Sequence, residues 1–208
     1  MDRVVHRGIK VGRGRADIYL RLALPLEKPR PLSPGSVNLK LWIAQGFGVG
    51  RIPVAPGTFG SIVGILWFAL LLIPANLWLF MTGIIAGFGF SVWLCGAGEK
   101  ILNQKDPGSV VIDEITAIPL CFASWVGISI WNTGSLPRLD EILNAQMWPA
   151  VLGIFVAFRF FDVFKPWPVR QSQSLPGGWG VTVDDFLAAI YVNALVLLVH
   201  FVHAKIAK

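Results

Sequence analysis

No charged side chain interrupts NLWLFMTGIIAGFGFSVWLC, residues 76–95 of the chain. A run of this length matches the roughly 20 residues that a helix needs to cross the hydrocarbon core of a bilayer. Lipid offers the backbone no hydrogen-bond partners, so a segment that satisfies its own backbone groups, a helix, is favoured over a strand. The sequence therefore predicts a membrane-spanning helix here.

Further apolar segments lie on both sides of this one, at 62–74, 115–131, 147–161 and 186–203. Hydrophobic residues make up 54% of the chain, charged residues only 14%, and the mean hydropathy is +0.63. Soluble domains carry roughly 25% charged residues, so this composition excludes a disordered chain, a coiled coil and a typical nucleic-acid-binding domain. We expect an all-α integral membrane bundle of about four to five apolar helices over residues 37–208.

Positive charge is concentrated before the apolar segments, since nine of the 18 lysines and arginines lie within residues 1–40. Residues 1–36 are also rich in proline, and we expect a basic tail with little fixed structure and no cleaved signal peptide. A nucleic-acid-binding arm would look similar in isolation. Beside apolar spans, a cytoplasmic tail attracted to anionic lipid headgroups explains the charge more simply, so no nucleic-acid partner is expected. An amphipathic piece at 38–50 is expected to lie at the membrane surface.

The charges between the apolar segments predict which connections face the cytoplasm. Placing the tail, residues 96–109 and residues 158–185 in the cytoplasm satisfies the positive-inside rule. Lys205 and Lys208 fit this arrangement less well, because five spans would place them outside. The number of spans is therefore open by one.

Five acidic residues adjoin the ends of apolar segments and, in this topology, lie at the cytoplasmic mouth of the bundle. They are Asp113, Glu114, Asp162, Asp184 and Asp185. A carboxylate at a bilayer boundary is costly unless it is paired, hydrated or bound to a cation. An oxygen-only ligand set suits Mg²⁺, which takes a few carboxylates together with a substrate phosphate, so the surplus acids predict a Mg²⁺ site. Helix capping by Asp184 and Asp185, and an ion pair of Asp162 with Arg159 or Lys165, are the alternatives.

Two glycine-rich segments accompany these acids. PGTFGS (56–61) opens a helix and offers the hydroxyls of Thr58 and Ser61, and PGGWG (176–180) contains Gly177 and Gly178. The N–H groups at a helix N-terminus bind phosphate well, although neither segment is a nucleotide-binding P-loop. Together with Arg159 and Lys165, they indicate a site for a phosphate carried on a lipid.

Four blocks, in this order, resemble the phosphatidylglycerophosphatase A family: GFGVGRIPVAPGTFGS (46–61), DPGSVVIDEI (106–115), FRFFDVFKPWPV (158–169) and PGGWGVTVDD (176–185). The resemblance covers roughly residues 38–205. It implies an all-α, Mg²⁺-dependent phosphatase of the bacterial cytoplasmic membrane. Such an enzyme hydrolyses phosphatidylglycerophosphate to phosphatidylglycerol and inorganic phosphate, the last step of phosphatidylglycerol synthesis, at a site facing the cytoplasm.

The resemblance also implies roles for individual residues. The five acids would bind the metal or act in catalysis, and Lys165 belongs to the family's Lys-Pro-Trp-Pro block. Attack by a metal-activated water and formation of an aspartyl-phosphate both remain open, as does the oligomeric state. The alternative functions are a phosphatase for another lipid or isoprenoid phosphate and, in a different class, a small cation-coupled transporter. Acids gathered at one face, without an inverted repeat, favour the phosphatase.

Overall fold

The computed structural model describes residues 38–206, so the basic tail expected at 1–36 lies outside the described residues. Within this range the secondary structure is helical and includes no strand, which confirms the all-α prediction. In chain order the helices are α1 (Leu39–Ala44), a short 3₁₀ segment (Gly46–Arg51), α2 (Pro56–Leu72), α3 (Leu77–Leu102), α4 (Ile112–Cys121), α5 (Ala123–Thr133), α6 (Leu139–Leu143), α7 (Trp148–Phe164), α8 (Val169–Ser172) and α9 (Gly178–Ile206).

Three stretches of the described chain are long and apolar enough to cross a membrane: α3, α4 together with α5, and α9. Helix α2 is apolar but has 17 residues, somewhat fewer than the roughly 20 of a full span. Large apolar side chains such as Trp78, Ile85 and Leu198 are exposed on these helices. Exposed apolar surface of this kind is typical of helices that face lipid rather than water. The chain is therefore a membrane protein.

Helix α4 occupies the centre of the bundle, in contact with α2, α3, α7 and α9. Phe68, Ile118 and Phe158, from three different helices, are fully buried in the core around it. Pro119 and the change of direction at Phe122 separate α4 from α5 and leave backbone groups without helical partners.

The amide of Asn193 on α9 satisfies two of these backbone groups. It donates to the carbonyl oxygen of Leu120 at 2.7 Å and accepts from the N–H of Ser124 at 2.6 Å. Because a polar backbone group in an apolar interior needs a partner, this side chain stabilises the break between α4 and α5. It also fixes the position of α9 against that break.

Several helices extend further than their apolar segments predict. Helix α9 begins at Gly178 rather than near residue 186, so Asp184 and Asp185 lie inside its second turn and do not cap it. A β-carbon at position 178 would overlap the carbonyl oxygen of Val92 on α3, so only glycine allows α9 to start in this place. The expected connections at 96–109 and 158–185 are correspondingly shorter. The acids that we expect at the edges of these connections lie within helices instead.

One end of the bundle gathers the N-termini of α2, α4 and α9 with the C-terminus of α7. Gly57 of α2 lies against Glu114 of α4, and Lys165, which follows α7, contacts Asp184 of α9. The N-terminus of a helix carries a partial positive charge, so three such ends create a favourable environment for anions. All five acids noted in the sequence lie at this end.

Candidate active site

Asp113, Glu114 and Asp185 form a compact acidic cluster. The first two lie in the first turn of α4, the third lies in the second turn of α9, and oxygen atoms of all three lie within 4.8 Å of one another. Asp113 and Asp185 are only 5% and 3% exposed. Such burial brings together carboxylates that would repel one another if all were ionised.

Each acid of this cluster keeps one buried oxygen without a hydrogen-bond partner in the described residues: Asp113 Oδ1, Glu114 Oε2 and Asp185 Oδ2. Unpartnered buried carboxylate oxygens are costly, and a cation is the partner that relieves several of them at once. An oxygen-only donor set at this spacing fits a hard divalent cation. The cluster could therefore hold a metal ion.

Arg159 of α7 contacts this cluster and the side chains beside it. Its Nη1 lies 2.8 Å from Asp162 Oδ2 and 4.0 Å from Glu114 Oε1, and it donates to the hydroxyl of Ser61 at 3.3 Å. The ion pair considered for Asp162 from the sequence is therefore present. Because Arg159 contacts both Asp162 and Glu114, Asp162 borders the cluster while it pairs with the arginine.

Asp184 differs from the other acids, because a cationic and a polar side chain both donate hydrogen bonds to it. Lys165 Nζ donates to Asp184 Oδ2 at 2.6 Å, and the amide of Gln173 donates to the same oxygen at 3.0 Å. Burial by itself lowers the pKa of Lys165, but Asp184 and Asp162 outweigh that effect and raise it above its ordinary value of 10.5. The lysine is therefore charged at neutral pH.

The predicted phosphate-binding segment at 56–61 also reaches the site. A β-carbon at Gly57 would overlap Glu114 Oε1, so α2 approaches α4 as closely as it does only because residue 57 is glycine. Ser61 is buried, and its hydroxyl donates to the carbonyl oxygen of Gly57 at 2.8 Å while it accepts from Arg159. The backbone N–H of Thr58 donates to Ala55 within the turn.

The comparison with known protein families fits this geometry. The family model described as "Phosphatidylglycerophosphatase A" matches residues 42–200. The chain belongs to the phosphatidylglycerophosphatase A family. Members of this family are phosphatases that act on a phosphate monoester. This protein is therefore an enzyme of the same class.

Individual relatives agree with the family. A Haemophilus influenzae phosphatidylglycerophosphatase A is 32% identical over 85% of this chain and 95% of its own length. The Escherichia coli K12 protein of the same name is 33% identical over 71% of the chain and 76% of its length. A Bacteroides thetaiotaomicron protein provisionally named phosphatidylinositol-3-phosphatase is 33% identical over 79% of the chain and 95% of its length. No solved structure matches the chain.

The second glycine-rich segment opens α9 and packs against α3 in this phosphatidylglycerophosphatase A family member. Gly178 is in contact with Val92 and Gly96 of α3, and a β-carbon at Gly177 would lie 4.0 Å from the carboxylate of Glu99. These contacts hold the start of α9 close to α3, and phosphate binding by Gly177 and Gly178 stays a prediction.

Sequence reasoning missed Gln173, which precedes that glycine segment and reaches Asp184 across the loop. Nothing in its local sequence, QSQS at 171–174, distinguishes it from an exposed loop residue. Only the distance between Gln173 and Asp184 in the folded chain identifies it.

Proposed function

We propose that this protein is a Mg²⁺-dependent phosphatidylglycerophosphatase that hydrolyses phosphatidylglycerophosphate to phosphatidylglycerol and inorganic phosphate, the last step of phosphatidylglycerol synthesis. The names of the Haemophilus and Escherichia relatives support the substrate. The observation that carries the proposal is the set of three clustered acids, each with an unpartnered buried oxygen among the described residues, beside Arg159. This arrangement suits both a divalent cation and a phosphate group.

The proposed location is the cytoplasmic face of the bacterial cytoplasmic membrane. Near the site, the connections and helix ends carry Lys100, Lys105 and Arg170. In the connection after α5, which leads away from the site, Arg138 is paired with Asp140 at 3.1 Å. Because lysine and arginine accumulate on the cytoplasmic side of membrane proteins, this asymmetry supports a cytoplasmic active site.

In this proposal Asp113, Glu114 and Asp185 hold the cation, since they are the acids with free buried oxygens. Mg²⁺ would supply charge neutralisation at the phosphate and a lowered pKa for water in the site. The sequence predicted that all five acids would bind the metal or act in catalysis, and this proposal keeps three of them as metal ligands. Asp184 instead orients Lys165, and Asp162 orients Arg159.

The remaining side chains would act on the phosphate and the proton. Among the described residues, Arg159 and Lys165 are paired with acids of the site, and they would stabilise negative charge on the phosphoryl oxygens as the bond to the leaving group breaks. Asp162, which borders the cluster through its ion pair with Arg159, would accept the proton of the attacking water. The hydroxyl of Ser61 holds the guanidinium of Arg159 in position.

The substrate is tested by measuring phosphate release in detergent micelles from phosphatidylglycerophosphate, phosphatidic acid and phosphatidylinositol 3-phosphate. We expect rapid release from the first lipid and slow release from the other two. The Bacteroides relative makes phosphatidylinositol 3-phosphate the second candidate substrate. Faster release from that lipid would assign its activity to this chain, and no release from any of them by folded protein would contradict the phosphatase assignment.

A further inference from the structure

Two buried hydroxyl groups join α3 and α9 near the acidic cluster. Ser91 of α3 and Thr182 of α9 are both fully buried, and their side-chain oxygens lie 2.9 Å apart. The hydrogen bond therefore connects two of the helices that are long and apolar enough to cross the membrane. We call these two side chains the hydroxyl pair.

Each hydroxyl of the pair has a local partner that it does not use. A serine or threonine inside a helix commonly donates to the carbonyl oxygen three or four residues earlier. Ser61 and Thr133 do so in this protein, each at 2.8 Å. Within the described residues, Ser91 and Thr182 form no such local bond and bond each other across two helices. A bond of this kind fixes α9 relative to α3, which a local bond cannot do.

Apolar side chains of similar size would hold the two helices together about equally well. Replacing both partners of a buried hydrogen bond by apolar groups of the same shape is often nearly neutral for stability. Buried apolar residues neighbour the pair along both helices, Leu94 on α3 and Val181 on α9. A hydrogen bond differs from an apolar contact in that it requires a narrow range of distance and angle. The pair therefore contributes a defined geometry between the helices.

Thr182 places the pair one helical turn from Asp185. The two residues are three apart in α9, and side chains at that spacing are neighbours on the surface of a helix. At the start of the same helix, Gly178 lies against Val92, the residue that follows Ser91. The close contact of α9 with α3 at Gly178 therefore continues one turn later at Thr182.

Ser91 belongs to a face of α3 that also contacts α4. Gly87 precedes Ser91 by one turn, and a β-carbon at Gly87 would lie 3.5 Å from the β-carbon of Thr116. The hydroxyl of Thr116 donates to the backbone carbonyl oxygen of Asp113 at 3.2 Å. The same face of α3 therefore lies against both helices that carry the clustered acids.

The arrangement of the cluster depends on how α9 lies relative to α4. Asp113 and Glu114 are consecutive residues of α4, so the position of α9 decides where Asp185 lies relative to both. Ionised carboxylates at this spacing repel one another and do not hold the arrangement by themselves. Mg²⁺ requires near-octahedral geometry at short metal–oxygen distances, whereas Ca²⁺ tolerates longer distances and varied geometry. A small shift of α9 would therefore weaken Mg²⁺ binding more than Ca²⁺ binding.

We propose that Ser91 and Thr182 are positioning residues, whose hydrogen bond sets α9 against α3 so that the three clustered acids meet at the geometry that Mg²⁺ requires. The inference rests on the proposed function, because it takes these acids to bind Mg²⁺. Neither hydroxyl contacts the metal or the substrate in this account. The pair acts through the position of Asp185, and it affects metal affinity and metal selectivity.

The role of the pair is tested by removing one hydroxyl. Thr182→Val keeps a similar shape without the hydroxyl, Thr182→Ser keeps the hydroxyl, and Thr133→Val makes the same change at an exposed threonine of α5. Binding of Mg²⁺ alone and of Ca²⁺ alone is measured on purified protein in detergent, from the rise in unfolding temperature with metal concentration. We expect Thr182→Val to weaken Mg²⁺ binding by roughly three- to tenfold and Ca²⁺ binding by less than about twofold. Thr182→Ser and Thr133→Val should bind both metals as the wild type does.

A double variant separates geometry from stability. Ser91→Ala with Thr182→Val leaves no hydroxyl of the pair without its partner, so its unfolding temperature without metal should exceed that of Thr182→Val alone. Its Mg²⁺ affinity should stay low, because the bond between the helices is still absent. Wild-type Mg²⁺ affinity in this double variant overturns the proposal. Equal losses of Mg²⁺ and Ca²⁺ affinity also overturn it, because they show a general loosening of the helices.

The positioning role and the proposed function fail in different ways. Wild-type protein that binds Mg²⁺, with an affinity unchanged in Thr182→Val, contradicts the positioning role and leaves the proposed function intact. Wild-type protein that binds neither metal contradicts the proposed Mg²⁺ site, and the positioning role is overturned with it.

Discussion

Lys165 lies between two carboxylates, 2.6 Å from Asp184 and 3.8 Å from Asp162. Its pKa is raised above the ordinary 10.5 because those carboxylates outweigh the effect of burial. A raised folded-state pKa means that the ion pair contributes its full stability below the ordinary value and loses it as the pH rises through the raised value. The ammonium group therefore stabilises both the fold and the site at neutral pH.

Replacing Lys165 by glutamine should destabilise the protein by on the order of 3 kcal/mol, because Asp184 is then a buried carboxylate without its cation. Activity should fall by at least about tenfold. Thermal unfolding in detergent and phosphate release measure the two effects. Lys165→Arg, which keeps the charge, should retain most of the stability.

The double variant Lys165→Gln with Asp184→Asn separates the ion pair from other effects. Removing both charges takes away the buried unpaired carboxylate, so part of the lost stability should return while activity stays low. The single variant Asp184→Asn completes the cycle, and a double variant destabilised by the sum of the two single effects would show that the pair does not couple.

The identities of the acids could be predicted at this scale, whereas their division of labour could not. Asp113, Glu114, Asp162, Asp184 and Asp185 stand out because carboxylates are rare beside apolar segments. Which of them pair with cations depends on side chains far away in sequence, as in the contact of Gln173 with Asp184. Such contacts cannot be predicted from the local sequence.

At the scale of helices, the close approach of α2 to α4 shapes the site. Gly57→Ala would place a methyl group against Glu114 Oε1 and push that carboxylate away from its neighbours. We expect activity to fall by roughly tenfold to a hundredfold with little loss of stability. Gly89→Ala on α3 is the matched control, since a β-carbon there meets no atom within 4 Å. Similar activity of the two variants would contradict this role for Gly57.

Helix existence was predictable from apolar periods and lengths, but helix ends were not. Apolar composition indicates which residues face lipid. At the active-site end, the same helices continue through polar residues. Helix α9 starts at Gly178 because its backbone fits against Val92 of α3, which is a tertiary contact. For this reason Asp184 and Asp185 were expected at a helix start and are found in the second turn.

The site lies at one end of the molecule. The connection between α5 and α6 follows the far end of α5, away from the site. The native cysteines Cys95 and Cys121 are buried, so a new surface cysteine can be labelled selectively. We expect Gln104→Cys, near the site, to react with an impermeant maleimide only after the cytoplasmic membrane is opened. Ser135→Cys should react in intact spheroplasts. The reverse pattern would place the active site on the outer face.

In the function we propose, the cluster of Asp113, Glu114 and Asp185 holds a catalytic Mg²⁺. The most direct test is phosphate release from phosphatidylglycerophosphate by purified protein in Mg²⁺, in EDTA and after Mg²⁺ is restored, for the wild type, Asp185→Asn and the exposed control Asp140→Asn. We predict that chelation abolishes release and Mg²⁺ restores it. We also predict that Asp185→Asn loses more than about a hundredfold in activity while Asp140→Asn is unaffected. Undiminished release in EDTA, or wild-type turnover by Asp185→Asn, would contradict the claim.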